Sequence, residues 1–400
     1  YEQIYLIGLE YAFNDNWTYW GPDVVWSETR LPGGMQGFLA GFPIQIWYHP
    51  YAPIVFSNIL SVIGLVLIAI YAKKRFPVLN LNFLLCLLLL LPFYLYHGTV
   101  LLNTAYLILT GALLFIPVFE LFIYRENMVF KNPGIYFISI GFSMLITYQL
   151  HLTWVMYLPF ILVLLFLEMK RNLVSLVKLP LYFLLGALIS GCLLIPTLVD
   201  YGAQIYQNTE GNLDFHISKF GRIGELFARY FSYATFDITP TYNFYQYATD
   251  NSYVTLVLVW IVKILGLIQF ATLIISLFYV KRSIEFKKIV LLFLLTLLMA
   301  LILFSLSNKH LSSRTYLLLF PIPMWLSFYG YSYLFTKTWS IISKTNIRLK
   351  HCFYTLIGLC FFAYLGVIAL NYKGPYSFYF NKTKLEQSFD KQDPTLFGDR

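Results

Sequence analysis

Apolar runs of about 18 residues and more recur along this chain without a charge to interrupt them. At 1.5 Å per residue, about 20 such residues cross the hydrocarbon core of a bilayer as a helix, in which every backbone polar group is satisfied internally. The runs are too long for amphipathic surface helices and lack the short alternating segments of an outer-membrane barrel. Charged residues are only 12% of the sequence, against about 25% in soluble proteins. Together these features exclude a dinucleotide-binding enzyme, a DNA-binding domain and a secreted disulfide scaffold. The net charge of +9 implies no nucleic-acid partner, because basic residues of membrane proteins collect in cytoplasmic loops. Cys86, Cys192, Cys352 and Cys360 fall inside apolar runs without pairing or metal-ligand spacing and read as small core residues. The chain opens on Tyr1 with no signal peptide before its first polar segment, and a further piece is expected upstream.

The expected fold class is all-α: a polytopic membrane protein of about ten transmembrane helices with interfacial helices in its outer loops. The spans are Pro53 to Ala72, Val78 to Tyr96, Val100 to Tyr124, Pro133 to Tyr148, Leu152 to Leu167, Leu179 to Val199, Tyr253 to Val280, Ile289 to Ser307, Thr315 to Thr336 and Cys352 to Tyr372. They divide the chain into an outer loop over 1–52, a helical membrane domain over 53–372 that includes the outer loop 200–252, and an outer tail over 373–400. Alternating the loops puts 16 basic residues on one side, among them Lys73, Lys74, Arg75, Arg125, Lys170 and Arg171, with only Glu126, Glu168 and Glu285 as acids. The three long segments share the other side, which together with the loop before the ninth span carries 11 basic and 15 acidic residues. The positive-inside rule therefore places the long segments outside the cytoplasm. Any acid-base chemistry belongs on that face.

Tyr1 to Phe13 has the composition of a helix lying against the membrane, with Glu2 and Glu10 separated by about 80° around it. A turn-rich stretch follows, carrying Asp15 and Asp23, and then Met35 to His49, whose Phe38, Phe42, Ile46 and Trp47 suggest a second interfacial helix. In the second long segment FHISKFGRIGELFARYF places Ile217, Phe220, Ile223, Phe227 and Tyr230 on one face and Lys219, Arg222 and Arg229 on the other. Such a face can attract a lipid phosphate or simply be solvated. Lys309, His310 and Arg314 stand on the outside immediately before the ninth span, against the charge rule. A planar guanidinium fork and a point charge suit phosphate oxygens, while snorkelling residues paired with nearby acids give the plain alternative. Lys263 lies well inside the seventh run, and Glu120 lies near the inner end of the third, where it can snorkel. His97 and His151 sit at span ends, where a structural histidine is as natural as a catalytic one, and no metal-binding pattern includes them. The identity of any cofactor is left open, with room for a divalent cation.

Four stretches carry a resemblance to the multispanning GT-C glycosyltransferases, specifically those similar to dolichyl-phosphate-mannose-protein mannosyltransferases and bacterial aminoarabinose transferases. YEQIYLIGLEYAFNDNW, followed by LPGGMQGFLAG, resembles the family's first outer loop with its acidic pair and interfacial helices. HGTVLLNTAYLILTGALLF resembles the segment bearing the second acidic residue, QLHLTWVMYLPFILVLL the "QxH" span, and HLSSRTYLLLFPIP the late outer motif that cradles the carrier phosphate. Two positions depart from the pattern: Tyr1 stands where the first acid is expected, with Glu2 beside it, and Asn103 stands in place of the second. The resemblance implies an integral enzyme of the bacterial inner membrane, acting outside the cytoplasm. It would move a sugar from a polyprenyl-phosphate carrier to an acceptor hydroxyl. In that reading Glu2 is the first candidate base, with Asp15, Asp23 and Glu10 as replacements. Lys309, His310 and Arg314 hold the leaving phosphate, assisted by Arg222 or Arg229, and His151 and Asn103 are further candidates. The partners are the lipid-linked sugar donor, membrane lipid and an acceptor that the sequence does not identify. The rival reading is a flippase or exporter of a lipid-linked or amphiphilic substrate; no internal repeat between the halves supports it.

The topology has a direct check. Cysteines placed at Asn16 and Asn212 should react with an impermeant thiol reagent in intact cells, and one at Ser283 should not. Labelling at Ser283 would invert the orientation.

Overall fold

The computed structural model describes residues 2–14, 17–23, 30–90, 94–95, 104–171, 175–202, 232, 252–278, 283–306, 317–341, 343–370 and 389–390. Two helices come first, α1 (Glu2–Phe13) and α2 (Met35–Ile46), separated by strands β1 (Trp20–Asp23) and β2 (Arg30–Pro32). Then follow α3 (Ala52–Arg75), α4 (Leu81–Leu89), α5 (Leu107–Val118), α6 (Pro133–Leu150), α7 (Leu158–Arg171), α8 (Ser175–Gly191), α9 (Ile195–Tyr201), α10 (Ser252–Leu277), α11 (Ile284–Leu306), α12 (Pro321–Ile341) and α13 (Ser343–Leu370). The all-α membrane class holds, with one small antiparallel ribbon: Trp20 pairs with Pro32 and Asp23 with Arg30.

Among the described residues five helical stretches are long and apolar enough to cross a membrane: Ala52–Arg75, Pro133–Leu150, Leu152–Arg171, Val177–Tyr201 and Leu256–Leu277. The first has 24 residues, about 36 Å of helix. Leu107–Ile123 and His351–Ala363 are apolar but shorter. Helix starts follow local chemistry. Asn80 and Asn132 cap α4 and α6 by accepting the amides of Asn82 and Gly134, and Pro133 occupies the first turn of α6, where no amide donor is needed.

Lipid gives helices no hydrophobic reason to associate, so close contact depends on small residues. The tight crossing of α6 with α8 shows this. A Cβ on Gly141 would run into the carbonyl oxygen of Phe183, and one on Gly186 into that of Ile138. A Cβ on Gly330 of α12 would likewise run into the carbonyl oxygen of Thr272 on α10, and one on Gly111 of α5 would come within 2.8 Å of that of Leu318.

At one end of the bundle Glu120 is fully buried, which corrects the expectation that it snorkels. It follows α5 in a π-helical turn, Phe119–Ile123. Its carboxylate receives the Tyr71 hydroxyl at 2.6 Å, the Val129 amide at 2.6 Å, the Tyr136 hydroxyl at 3.0 Å and Arg75 Nε at 3.0 Å, and Arg75 Nη2 donates as well. A carboxylate with this many donors has no need of water, so burial is tolerated where an unpaired charge would be expelled. Trp325 of α12 stacks on both Tyr71 and Phe119, at ring-centroid distances of 4.9 and 4.8 Å, and its indole NH donates to the Tyr124 hydroxyl at 3.1 Å. The Arg75 guanidinium lies 4.2 Å over the Tyr124 ring. Beside this cluster Arg125 grips Glu168 with two bonds of 2.7 and 2.8 Å, and Arg171 joins the same carboxylate. Lys263, inside α10, rests 5.1 Å over the Trp260 ring.

Removing one partner of a buried, hydrogen-bonded ion pair costs about 3–5 kcal/mol. Arg75→Met should therefore lower stability in detergent by about that amount, read as a clear fall in the thermal unfolding midpoint. An unchanged midpoint would mean that Glu120 does not depend on Arg75.

Candidate functional site

The other end of the same bundle carries the polar assembly that sequence analysis assigns to the outer face. There α1 packs along α2, with Gly8 against Ala40 and Gly41; a Cβ at Gly8 would meet the Ala40 side chain at 2.6 Å. Ile4, Tyr5, Leu9, Ala40, Ile44 and Ala52 form a small core between α1, α2 and the start of α3. A second core joins Met35 and Leu39 of α2 to Tyr106 and to Leu150 at the end of α6. The α1–α2 pair is thus seated on the ends of α3 and α6.

The connection into α2 is built on glycine for a local reason. Gly33 has φ +106°, a conformation that L side chains rarely adopt, and a Cβ there would overlap the side-chain amide of Gln149. Its amide donates to Tyr19 O at 2.8 Å, and the amide of Gly34 donates to Leu193 O at 2.9 Å. Gly34 then opens α2 without a side-chain cap. The irregular residues Trp17 to Tyr19 lie across this turn: the Trp17 ring covers Gly34 and the Thr18 hydroxyl abuts Gly37. Thr197 of α9 donates to Tyr19 O at 2.9 Å. The Tyr19 hydroxyl donates to the Asp200 carboxylate, whose negative charge and hydrogen bond raise the tyrosine pKa. Tyr201 meets the rings of both Tyr19 and Trp20 at 5.3 Å.

Glu10 of α1 is half-buried and accepts the Asn14 amide at 2.7 Å. His151 ends α6, and its Nδ1 accepts the Thr153 amide at 3.2 Å while lying 2.9 Å from the Thr153 hydroxyl. That ring nitrogen is thereby engaged in capping the short 3-10 helix Leu152–Tyr157. The backbones of Glu2 and Asp23 belong to α1 and β1, and their side chains lie outside the description. Asp15, Asn103, Arg222, Arg229, Lys309, His310 and Arg314 lie outside the described residues altogether. Among the described residues no three His, Cys, Asp or Glu side chains gather as a metal site.

Several polar groups here escape sequence reasoning. Gln36 is fully buried with both amide atoms unpartnered, and Gln149, equally buried, has an unpartnered Oε1. Trp17 Nε1, Thr18 Oγ1, Thr104 Oγ1 and the Tyr106 hydroxyl share that condition. A glutamine at the end of an apolar helix and one inside a glycine-rich turn are the only signals, and neither tells that the two meet the same turn.

Compared with protein-family models, with curated proteins and with solved structures, the chain matches none.

Gly33→Ala tests the turn. Backbone strain of this kind costs about 1–3 kcal/mol, and the added methyl also displaces Gln149. The variant should lose thermal stability and become easier to cleave by protease between residues 17 and 34. Wild-type behaviour in both assays would show that the turn adopts another conformation.

Proposed function

We propose that this chain is a glycosyltransferase of the bacterial inner membrane that takes a sugar from a polyprenyl-phosphate carrier and attaches it to an acceptor hydroxyl outside the cytoplasm. About ten spans and two interfacial helices, α1 and α2, make up its membrane architecture in this reading. One observation carries the proposal: the stretches that resemble the GT-C enzymes, far apart in sequence, touch one another in space. Gly8 of the first meets Gly41 of LPGGMQGFLAG, whose Gly33 meets Gln149 of the "QxH" stretch. Tyr106 of HGTVLLNTAYLILTGALLF packs with Met35 and Leu150, and Gly111 of the same stretch abuts Leu318 of the last.

The chemistry asked of the residues is simple. A carboxylate accepts the proton of the acceptor hydroxyl, the oxygen bonds to the anomeric carbon, and the bond from that carbon to the carrier phosphate breaks. Glu2 is the first candidate for the base, with Asp15, Asp23 and Glu10 as replacements. Lys309, His310 and Arg314 stabilise the departing phosphate, assisted by Arg222 or Arg229. Asn103 and His151 complete the candidate residues.

The test is release of bare polyprenyl phosphate by the purified chain. General-base catalysis contributes about 10² to 10⁴ in rate, so Glu2→Gln should lower turnover by that order while donor binding persists. Arg314→Lys keeps the charge and loses the fork, so it should weaken use of the donor. Loss of turnover in Asp15→Asn or Asp23→Asn instead of Glu2→Gln would move the base and keep the enzyme. Movement of a labelled lipid across vesicles with no sugar transfer would replace the transferase by a flippase.

A further inference from the structure

We infer that the bundle holds an anionic phospholipid at its Glu120 end, through Lys131, Lys170 and Lys178, where α6 and α8 begin and α7 ends. α6 and α8 run parallel, since their contacts rise together in sequence: Gly134 meets the Tyr182 ring, Gly141 the carbonyl of Phe183, and Gln149 that of Ser190. Lys131 stands just before the first of these contacts on one segment, and Lys178 one helical turn before it on the other. α7 closes with Lys170 and Arg171 and is joined to α8 through residues 172–174. Arg125, in the connection that carries Lys131, shares Glu168 with Arg171, which ties the end of α7 to that connection.

This end does not neutralise itself. Its buried carboxylates, Glu120 and Glu168, are both taken up by guanidinium groups. Glu126 is exposed, and residues 172–174 bring no acid. Lys131, Lys170 and Lys178 are exposed, and among the described residues none of the three forms an ion pair; the Lys170 ammonium rests 4.6 Å over the Phe166 ring. The N-termini of the parallel helices α6 and α8 add partial positive charge at the same level.

The surface beside these cations selects a lipid over a soluble anion. Leu162, Phe166 and Lys170 follow one another at intervals of a turn, so an exposed apolar stripe of α7 runs into an ammonium group. On α8, Val177, Leu181, Leu184 and Leu188 form a second stripe that starts beside Lys178, each of them more than half exposed. It extends for about 16 Å, the share of one leaflet in a hydrocarbon core about 30 Å thick. An acidic peptide would meet the cations alone. A phospholipid sets its phosphate at the level of the helix ends and its acyl chains along the stripes. A zwitterionic headgroup brings an ammonium of its own against the lysines, so the preferred lipid is one with net negative charge. The inference does not rest on the transferase reading.

The experiment titrates the full chain, purified in detergent, with dioleoylphosphatidylglycerol, tetraoleoyl cardiolipin and dioleoylphosphatidylcholine. Binding is read by native mass spectrometry and by the thermal unfolding midpoint. At least one anionic lipid should bind about tenfold more tightly than phosphatidylcholine and raise the midpoint. Replacing Lys131, Lys170 and Lys178 together by Gln should cut this preference to about threefold or less. A control pair at the same end, Lys73→Gln on α3 with Lys287→Gln on α11, should leave it near its original value. Lys178→Gln alone should weaken the preference in the same direction and carries the test if the triple variant does not fold. Equal affinity for all three lipids would overturn the site. An equal loss in the control pair would also overturn it, by showing that only the diffuse charge of that end matters. So would displacement of the lipid by glycerol 3-phosphate or a polyglutamate peptide at comparable concentration, which would make the ligand a soluble anion.

Discussion

The interaction on which the bundle turns is the buried carboxylate of Glu120. A bare carboxylate in a low-dielectric interior is among the costliest groups a protein can hold, and it is held here by donors from α3, α6 and the loop between α5 and α6. No single helix can satisfy it. Tyr71 and Arg75 lie one turn apart on α3 and reach it together, while Tyr136 and the Val129 amide approach from the other side. Trp325 then extends the cluster to α12, stacking on Tyr71 and Phe119 while its NH engages Tyr124. Where dispersion and small-residue contacts define how near the helices come, this cluster defines their register along the membrane normal. A helix shifted by one turn would move its donors about 5.4 Å away from the oxygen atoms.

That register determines what happens about 36 Å away, at the other end of the same helices. α3 runs from Ala52, beneath the α1–α2 pair, to Arg75, in the carboxylate cluster; α6 runs the opposite way, from Tyr136 near Glu120 to Gln149 against Gly33. The position of Gln149 relative to the turn at Gly33 is therefore set partly by ion pairing at the far end. Close glycine crossings such as Gly141 and Gly186 keep α6 and α8 rigid between the two ends, so a shift at one is carried to the other instead of being absorbed by side chains.

Much of this architecture is legible in the sequence. The helix expected over Tyr1 to Phe13 is Glu2–Phe13, the one over Met35 to His49 is Met35–Ile46, and apolar runs locate helices at Ala52–Arg75 and Pro133–Leu150. Single-residue hydropathy reads these well because lipid imposes one demand on every position. It reads polar residues poorly. A lone glutamate near the end of an apolar run looks the same whether it snorkels or is buried, and the difference lies in donors 45 and 49 residues away. The segment WGPD contains both Gly and Pro, which disfavour strands, and becomes β1 because RLP lies alongside it. Gln36 and Gln149 are separated by the last part of the first outer loop and four expected spans, and the contact of Gln149 with the turn at Gly33 is a tertiary fact that no local pattern contains.

The two ends of the bundle treat buried polarity in opposite ways. At the Glu120 end a full charge is enclosed with its donors in place, and Arg125 and Arg171 do the same for Glu168. At the Gly33 end the fully buried polar side chains among the described residues are neutral, individually far cheaper to satisfy, and several have no hydrogen-bond partner. A fold able to pair a buried carboxylate so completely had the means to pair an amide, or to place leucine or methionine there at no polar cost. Unpaired neutral groups beside an uncapped helix start are the opposite of what a stabilising contact requires.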